Sequence, residues 1–247
     1  MRGAPLPSCF WDSPENVERF AAREPDVRLA ELIREYEAPS AVRILDLGCA
    51  AGRNTVLLAQ KGFDFEAVDS SPAMVAKTRD RLAPLVGAAE AARRVRVGRM
   101  DDLGWAAEER FQLVVALGVY HCAQSRAEWV RALTESARVL ARGGKLLVSV
   151  FTPETDLTGR GITAVPGEPN LYEGFESGRS VLVDAPTLDA EMARHRLIPV
   201  EPTRIARPKV EVGRRVSANG LYTKSPFPPP SRPALPRADV VHEPGGK

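Results

Sequence analysis

The chemistry-bearing residues cluster around one small loop. The stretch RILDLGCAAGRN, Arg43 to Asn54, runs from an apolar segment through Asp46 into a loop of small residues and then a helical start. Glycine-rich turns after a strand commonly hold phosphates against a helix N-terminus. Here the glycines are Gly48 and Gly52, spaced G-x-x-x-G rather than G-x-G-x-x-G, and no Gly-Lys-Ser/Thr follows. A carboxylate at Asp46 would repel a pyrophosphate and attract a cation. Asp69 lies about 20 residues further on, where an acid can accept both hydrogen bonds of a ribose diol.

A ligand with a ribose, cationic groups and no phosphate fits this set, and S-adenosylmethionine is such a ligand. Asp46 suits its ammonium, directly or through the loop. Arg53, or the backbone N–H groups at the helix start, suits its single carboxylate. Tyr120, His121 and Cys122 follow a later apolar run, QLVVAL, at the rim where a transferable methyl group would point. A histidine there has the pKa of a general base, or it packs beside the ligand and orients a loop. Trp11 and Phe10 are placed to stack over a ligand or to fill a core. Tyr172, Glu173 and Arg179 are the polar groups of NLYEGFESGR and the candidates for an acceptor pocket.

These residues need elements to hold them. Val42–Leu47, Phe65–Val68, Val95–Val97, Gln112–Leu117 and Lys145–Phe151 read as strands. Between them lie helical patterns at Asn54–Lys61, from Pro72 to Leu85, and at Ser125–Leu140, the last stopped by Gly143-Gly144. Val75, Thr78, Leu82 and Leu85 should share one buried face, and Val130, Leu133, Ala137 and Leu140 another. Such alternation predicts a Rossmann-like, doubly wound α/β sheet with helices on both faces, its ligand at the carboxyl ends of the strands. Residues 1–39 read as a helical lid, 40–224 as the main domain, 152–186 as a long substrate loop, and 225–247 as a proline-rich, extended tail.

Composition narrows the function. A net charge of +2, with 27% charged and 44% hydrophobic residues, gives no electrostatic case for nucleic acid or a membrane surface. The many arginines read as solvated surface. Cys9, Cys49 and Cys122 have no metal-ligand spacing, so no metal is expected and a reducing, cytoplasmic setting is. No apolar run is long enough for a transmembrane helix, and the N-terminus has no signal-peptide core.

The run LDLGCAAGRNTVLLAQKGFDFEAVDSSPAM resembles the first two motifs of class I S-adenosylmethionine-dependent methyltransferases. It is most similar to their small-molecule branch, the tellurite-resistance and thiopurine types. FQLVVALGVYH and ARVLARGGKLLVSVF resemble the later strand motifs. The resemblance implies a seven-stranded sheet with one antiparallel strand, the final hairpin drawn from Pro199–Ile205 and Asn219–Lys224 after a helix at Thr187–His195. With the loop, it implies a cofactor site of Asp46, Gly48, Cys49, Ala50, Gly52, Arg53, Asn54, Asp69, Ser70, Met74, Met100, Asp101 and Leu117. Two positions depart from the pattern. Ala50 replaces the middle loop glycine and should be accommodated if its φ stays negative. Gly98-Arg99 stands where Gly-Asp is usual, which moves the adenine contact to Asp101 or Asp102, Asp101 being preferred, with the Met100 backbone alongside.

The expected activity is methyl transfer to a small-molecule acceptor. An RNA- or protein-directed enzyme is disfavoured by the near-neutral charge and by ALGVYH, which lacks an Asn/Asp-Pro-Pro-Tyr/Phe motif. A non-catalytic binding module differs only in lacking turnover. An NAD-linked oxidoreductase conflicts with the loop spacing and Asp46.

Overall fold

The computed structural model describes residues 10–226 of the 247-residue chain. Helices α1 (Pro14–Ala21) and α2 (Val27–Leu32) precede β1 (Arg43–Leu47). Then come α3 (Arg53–Gln60), β2 (Asp64–Asp69), α4 (Pro72–Val86), α5 (Ala88–Arg94), β3 (Val95–Val97), β4 (Phe111–Leu117), α6 (Arg126–Val139) and β5 (Leu140–Phe151). A small antiparallel sheet follows, made of β6 (Thr163–Ala164), β7 (Leu171–Phe175) and β8 (Gly178–Val181). Helix α7 (Ala185–Arg194), β9 (Leu197–Pro199), β10 (Arg204–Ala206) and β11 (Ser217–Lys224) complete the described chain.

The main sheet has eight strands, with β5-β4-β1-β2-β3 all parallel. β11 runs antiparallel beside β5, and β9 and β10 pair successive parts of its other edge. These two short strands occupy one edge position, interrupted between Pro199 and Arg204. The sheet therefore has seven strand positions with one antiparallel member, as expected.

The central strands are apolar because both faces are covered. Leu113, Val114, Val115 and Ala116 of β4 are all buried. One face packs against Trp129 and Leu133 of α6 and Leu188 and Met192 of α7. The other packs against Leu29 of α2, Leu58 of α3 and Val75 and Leu82 of α4. Ser71 caps α4 by accepting from the Met74 N–H at 3.1 Å, with Pro72 at the first helical position.

Several expectations about packing and boundaries need correction. Leu85 and Val130 are exposed. Ten residues of helix fall about 80° short of three full turns, so Leu85 leaves the face of Val75. In α6 the buried stripe is centred on Trp129, Leu133 and Ser136, one step round from Val130. The glycine pair does not stop that helix. α6 ends at Val139, and Leu140 already pairs with Phe111 across β4 and β5. The 152–186 segment is not an unstructured loop, since it contains the small sheet. The cysteine at position 9 and nearly all of the proline-rich tail lie outside the described residues.

Candidate functional site

A cavity of about 630 Å³ opens where β1, β2, β4 and β5 end. The strand order reverses between β1 and β4, and the loops that leave them diverge to make the crevice. Gly48, Cys49, Ala50, Arg53 and Asn54 line it from the first loop, Asp69, Ser70 and Met74 from the second, and Met100 and Leu117 from the later strands.

Loop conformation follows from close approach. Gly48 has φ +73°, and an added Cβ would meet the Val119 side chain at 2.6 Å. Gly52 has φ +82° and sits 2.8 Å from Thr78 by the same measure. It packs behind the loop and does not line the cavity. Ala50 adopts φ +47°, so the condition under which alanine would fit without strain is not met. Its left-handed turn is fixed from both sides. Ala50 N–H donates to Asp69 Oδ2 at 2.8 Å, and Thr78 Oγ1 donates to the Ala50 carbonyl at 2.7 Å. A left-handed alanine costs about 1–2 kcal/mol, part of which glycine loses again as chain entropy. Ala50→Gly is therefore expected to stabilise the fold by up to about 1 kcal/mol, read as a higher denaturant midpoint at unchanged slope.

Asp69 is held by two backbone donors, Ala50 N–H on Oδ2 and Ser71 N–H on Oδ1 at 2.9 Å. A carboxylate has about four lone-pair directions, so two acceptor sites remain. Burial is the largest influence on its carboxyl and holds the pKa above the ordinary value, against those two N–H groups. Asp46 behaves differently. It is buried, accepts from Thr55 Oγ1 at 2.6 Å, and does not line the cavity. The side chain braces the start of α3 beneath the loop rather than forming part of the cavity wall.

At the other end, Asp101 also stays out of the cavity. Its carboxylate accepts from Arg99 Nε at 2.9 Å and Arg131 Nη2 at 2.7 Å. The acid that lines the cavity is Glu128, which accepts from Arg99 Nη2 at 2.8 Å and from the Gln124 N–H at 2.9 Å. Ser125 and Glu128 form an S-x-x-E signature legible as a helix start. Nothing in that signature pointed to a ligand.

His121 lines the cavity and stacks on Phe151, ring centroids 3.9 Å apart. Its Nδ1 accepts the Phe151 N–H at 3.3 Å, which assigns the proton of the neutral ring to Nε2. Burial, then the charge of Arg215, push its pKa down to about 3. A ring with Nε2 protonated and Nδ1 occupied is a hydrogen-bond donor, not a general base. Its NMR signals are expected to show no titration between about pH 5 and 8, the range in which free histidine titrates. Tyr120 is no catalytic candidate either. It is buried against Trp129, donates to Ser136 Oγ at 2.7 Å, and is absent from the cavity wall.

The chamber beyond His121 differs from the sequence expectation. Tyr172, Glu173 and Arg179 do not line it; Glu173 and Arg179 form an exposed ion pair at 2.8 Å. Phe175 and Ser180 of the small sheet line the cavity instead; the register shift between Tyr172 and Phe175 breaks the alternation that would otherwise give Glu173 and Phe175 one face. Trp11 does line it and packs edge-on against Phe10 and Phe20. Arg23 and Arg215 also line the chamber and are partly buried, so the reading of the arginines as solvated surface fails for these two.

A family model described as a methyltransferase domain matches residues 44–144. Over 58 residues the chain is 40% identical to magnesium-protoporphyrin O-methyltransferase of Rhodobacter capsulatus; the match covers 24% of this chain and only 26% of that relative. Among solved structures, the PH0226 protein of Pyrococcus horikoshii OT3 is 21% identical, with a TM-score of 0.58 over 87% of this chain and 94% of that one. The CcbJ methyltransferase of Streptomyces caelestis is 20% identical, with a TM-score of 0.56 over 83% and 98%. The 1,6-didemethyltoxoflavin-N1-methyltransferase of Burkholderia thailandensis, solved with 1,6-didemethyltoxoflavin and S-adenosylhomocysteine, is 20% identical, with a TM-score of 0.52 over 90% and 93%. At these identities the structural likenesses establish the fold.

Proposed function

We propose that the chain is a class I, S-adenosylmethionine-dependent methyltransferase, a reading supported by the methyltransferase-domain match over residues 44–144, and that it transfers a methyl group to a small-molecule acceptor held in the chamber beyond His121. The observation that carries this reading is Asp69: a carboxylate at the end of β2, fixed by two backbone N–H groups, with two acceptor sites to spare for a ribose diol.

The cavity's donors and acceptors fit the cofactor. Asp69 would take the ribose hydroxyls. Met74, Val68 and Met100 offer an apolar slot for adenine. Arg53, anchored on the Glu24 carbonyl at 3.1 Å and near Asp26 at 3.9 Å, would meet the carboxylate beside the loop N–H groups. Asp46, behind the loop, would contribute negative potential rather than contact. The bound cofactor supplies a methyl group already activated by its sulfonium.

The protein's task is then positioning. Gly48 lets the backbone pack closely at the end of β1, and Gly118 takes a positive φ at the end of β4. His121 Nε2–H offers a directional donor toward the chamber. Phe20, Phe151 and Phe175 give it apolar walls, with the exposed Leu157 and Val212 at its rim, and these walls would align the acceptor for in-line attack. A small-molecule acceptor is also the kind named for the Burkholderia thailandensis structural neighbour.

Calorimetric titration with S-adenosylmethionine, S-adenosylhomocysteine and NADH tests the reading. Saturable binding of the first two and none of NADH is expected. Binding of NADH, or of none of the three, would overturn it.

A further inference from the structure

Two arginines in the acceptor chamber stand out among the described residues as partly buried cations without an anion: Arg19 and Arg160 on the same wall are exposed, and the remaining cations near them are paired. Arg53 has the Glu24 carbonyl and Asp26, Arg28 has Asp26, and Arg99 has Asp101 and Glu128. Among the described residues no carboxylate pairs with Arg23 or Arg215. Arg23 lies over the Phe20 ring, its guanidinium carbon 4.1 Å from the centroid. Arg215 sits beside Phe151 at 5.6 Å, and its Nε is buried without a hydrogen-bond partner. Both guanidiniums are partly desolvated. Burial, followed by the charges of Arg215, Arg53 and Arg19, pulls Arg23 down to about 10. Leaving such cations together without an anion costs stability, and a bound anion would recover it.

Among the described residues, no buried group on the chamber wall is free to remove a proton. His121 keeps its proton on Nε2 and its Nδ1 occupied. Burial holds the Cys122 thiol up at about 12. Of the carboxylates on the wall, Asp69 is held by the loop, Glu128 is paired with Arg99, and Glu176 is solvent-exposed.

We propose that the methyl acceptor is an oxyanion, a carboxylate or phenolate on an apolar ring-bearing body, and that Arg215 and Arg23 bind its charge. This rests on the methyl-transfer reading of the site. The oxygen–methyl bond forms as the methyl–sulfur bond breaks, and the bonding pair stays on sulfur. The acceptor's negative charge and the sulfonium's positive charge cancel, and no proton is released. The arginines hold the acceptor in its deprotonated form, so the absence of a base is no obstacle. The phenylalanine-lined walls take the ring.

The test uses the protein saturated with S-adenosylhomocysteine. Benzoate, cinnamate and 2-naphthoate are titrated against their three neutral amides. The acids are expected to bind about tenfold to hundredfold tighter than the amides, the scale of hydrogen bonds to a charged group. Arg215→Gln and Arg23→Gln should each erase most of that preference and leave S-adenosylhomocysteine binding within about twofold. The melting temperature of each ligand-free variant should stay level or rise, because an unpaired buried cation has gone; a merely structural arginine would lower it. Equal binding of acids and amides, or no binding of either, overturns the proposal while the cofactor titration leaves the methyl-transfer reading standing. Weaker S-adenosylhomocysteine binding in both variants, with acid binding unchanged, assigns the arginines to the cofactor and also overturns it. Failure of S-adenosylhomocysteine to bind the wild type removes the underlying reading and the proposal with it.

Discussion

Asp69→Ala is expected to weaken S-adenosylhomocysteine binding by more than about a hundredfold. Two hydrogen bonds from ribose hydroxyls to one carboxylate are each worth about 1.5–3 kcal/mol. The substitution has a second effect within the protein. Ala50 N–H and Ser71 N–H lose their acceptor, and Ala50 loses one of the two bonds that hold its left-handed turn. The loop should loosen, so the ligand-free fold should also melt earlier. Asp69→Asn keeps a single carbonyl oxygen and can serve only one of those N–H groups. It should lie between wild type and alanine in melting temperature and close to alanine in binding. Titration calorimetry with parallel melting curves separates the two effects. Binding unchanged in Asp69→Ala would mean that the cavity holds its ligand by other contacts.

Asp46→Asn is expected to act in opposite senses on fold and ligand. Burial, the largest influence, pushes this carboxyl up to about 6 from 3.8, and the Thr55 hydroxyl only partly offsets it. The native state therefore holds the proton more tightly than the unfolded chain does. The resulting stability is complete below the unfolded value and is lost as pH rises through about 6. A shift of roughly two units is worth about 3 kcal/mol at neutral pH. Asparagine keeps an oxygen for Thr55 and cannot ionise, though its amide adds a buried donor that costs about 1 kcal/mol. The variant should gain about 2 kcal/mol at pH 7 on the same scale and lose that advantage near pH 4. Its affinity for the sulfonium-bearing S-adenosylmethionine should fall relative to the neutral thioether S-adenosylhomocysteine. Denaturant melts across the pH range check the first statement. A variant less stable than wild type at pH 7 would show that the Asp46 charge is satisfied in the native state.

The frame of the site was legible because it depends on periodicity and punctuation. Apolar strands separated by amphipathic helices specify the sheet, and Gly48, Gly52 and Asp69 mark its carboxyl edge. What stayed hidden depends on side-chain direction and on contacts distant in sequence. Asp46 and Asp69 both end apolar runs, yet Asp46 points under the loop toward Thr55 while Asp69 faces the cavity. Asp101 looked like the adenine partner by position, but two arginines on different elements turn it away. Tyr172 and Glu173 were the conspicuous polar residues of their segment, and an irregularity in a strand not foreseen there presents Phe175 instead. Arg23 and Arg215 carry no local signal. One follows α1 and the other precedes β11, and only the folded chain brings them into one chamber.

The most direct measurement is a crystal structure of the protein with S-adenosylhomocysteine. The account predicts both ribose hydroxyls within hydrogen-bond distance of the Asp69 carboxylate, adenine against Met74 and Met100, and the sulfur facing the chamber of His121, Phe151 and Arg215. A nucleoside bound elsewhere, or one whose sulfur faces away from that chamber, would contradict it.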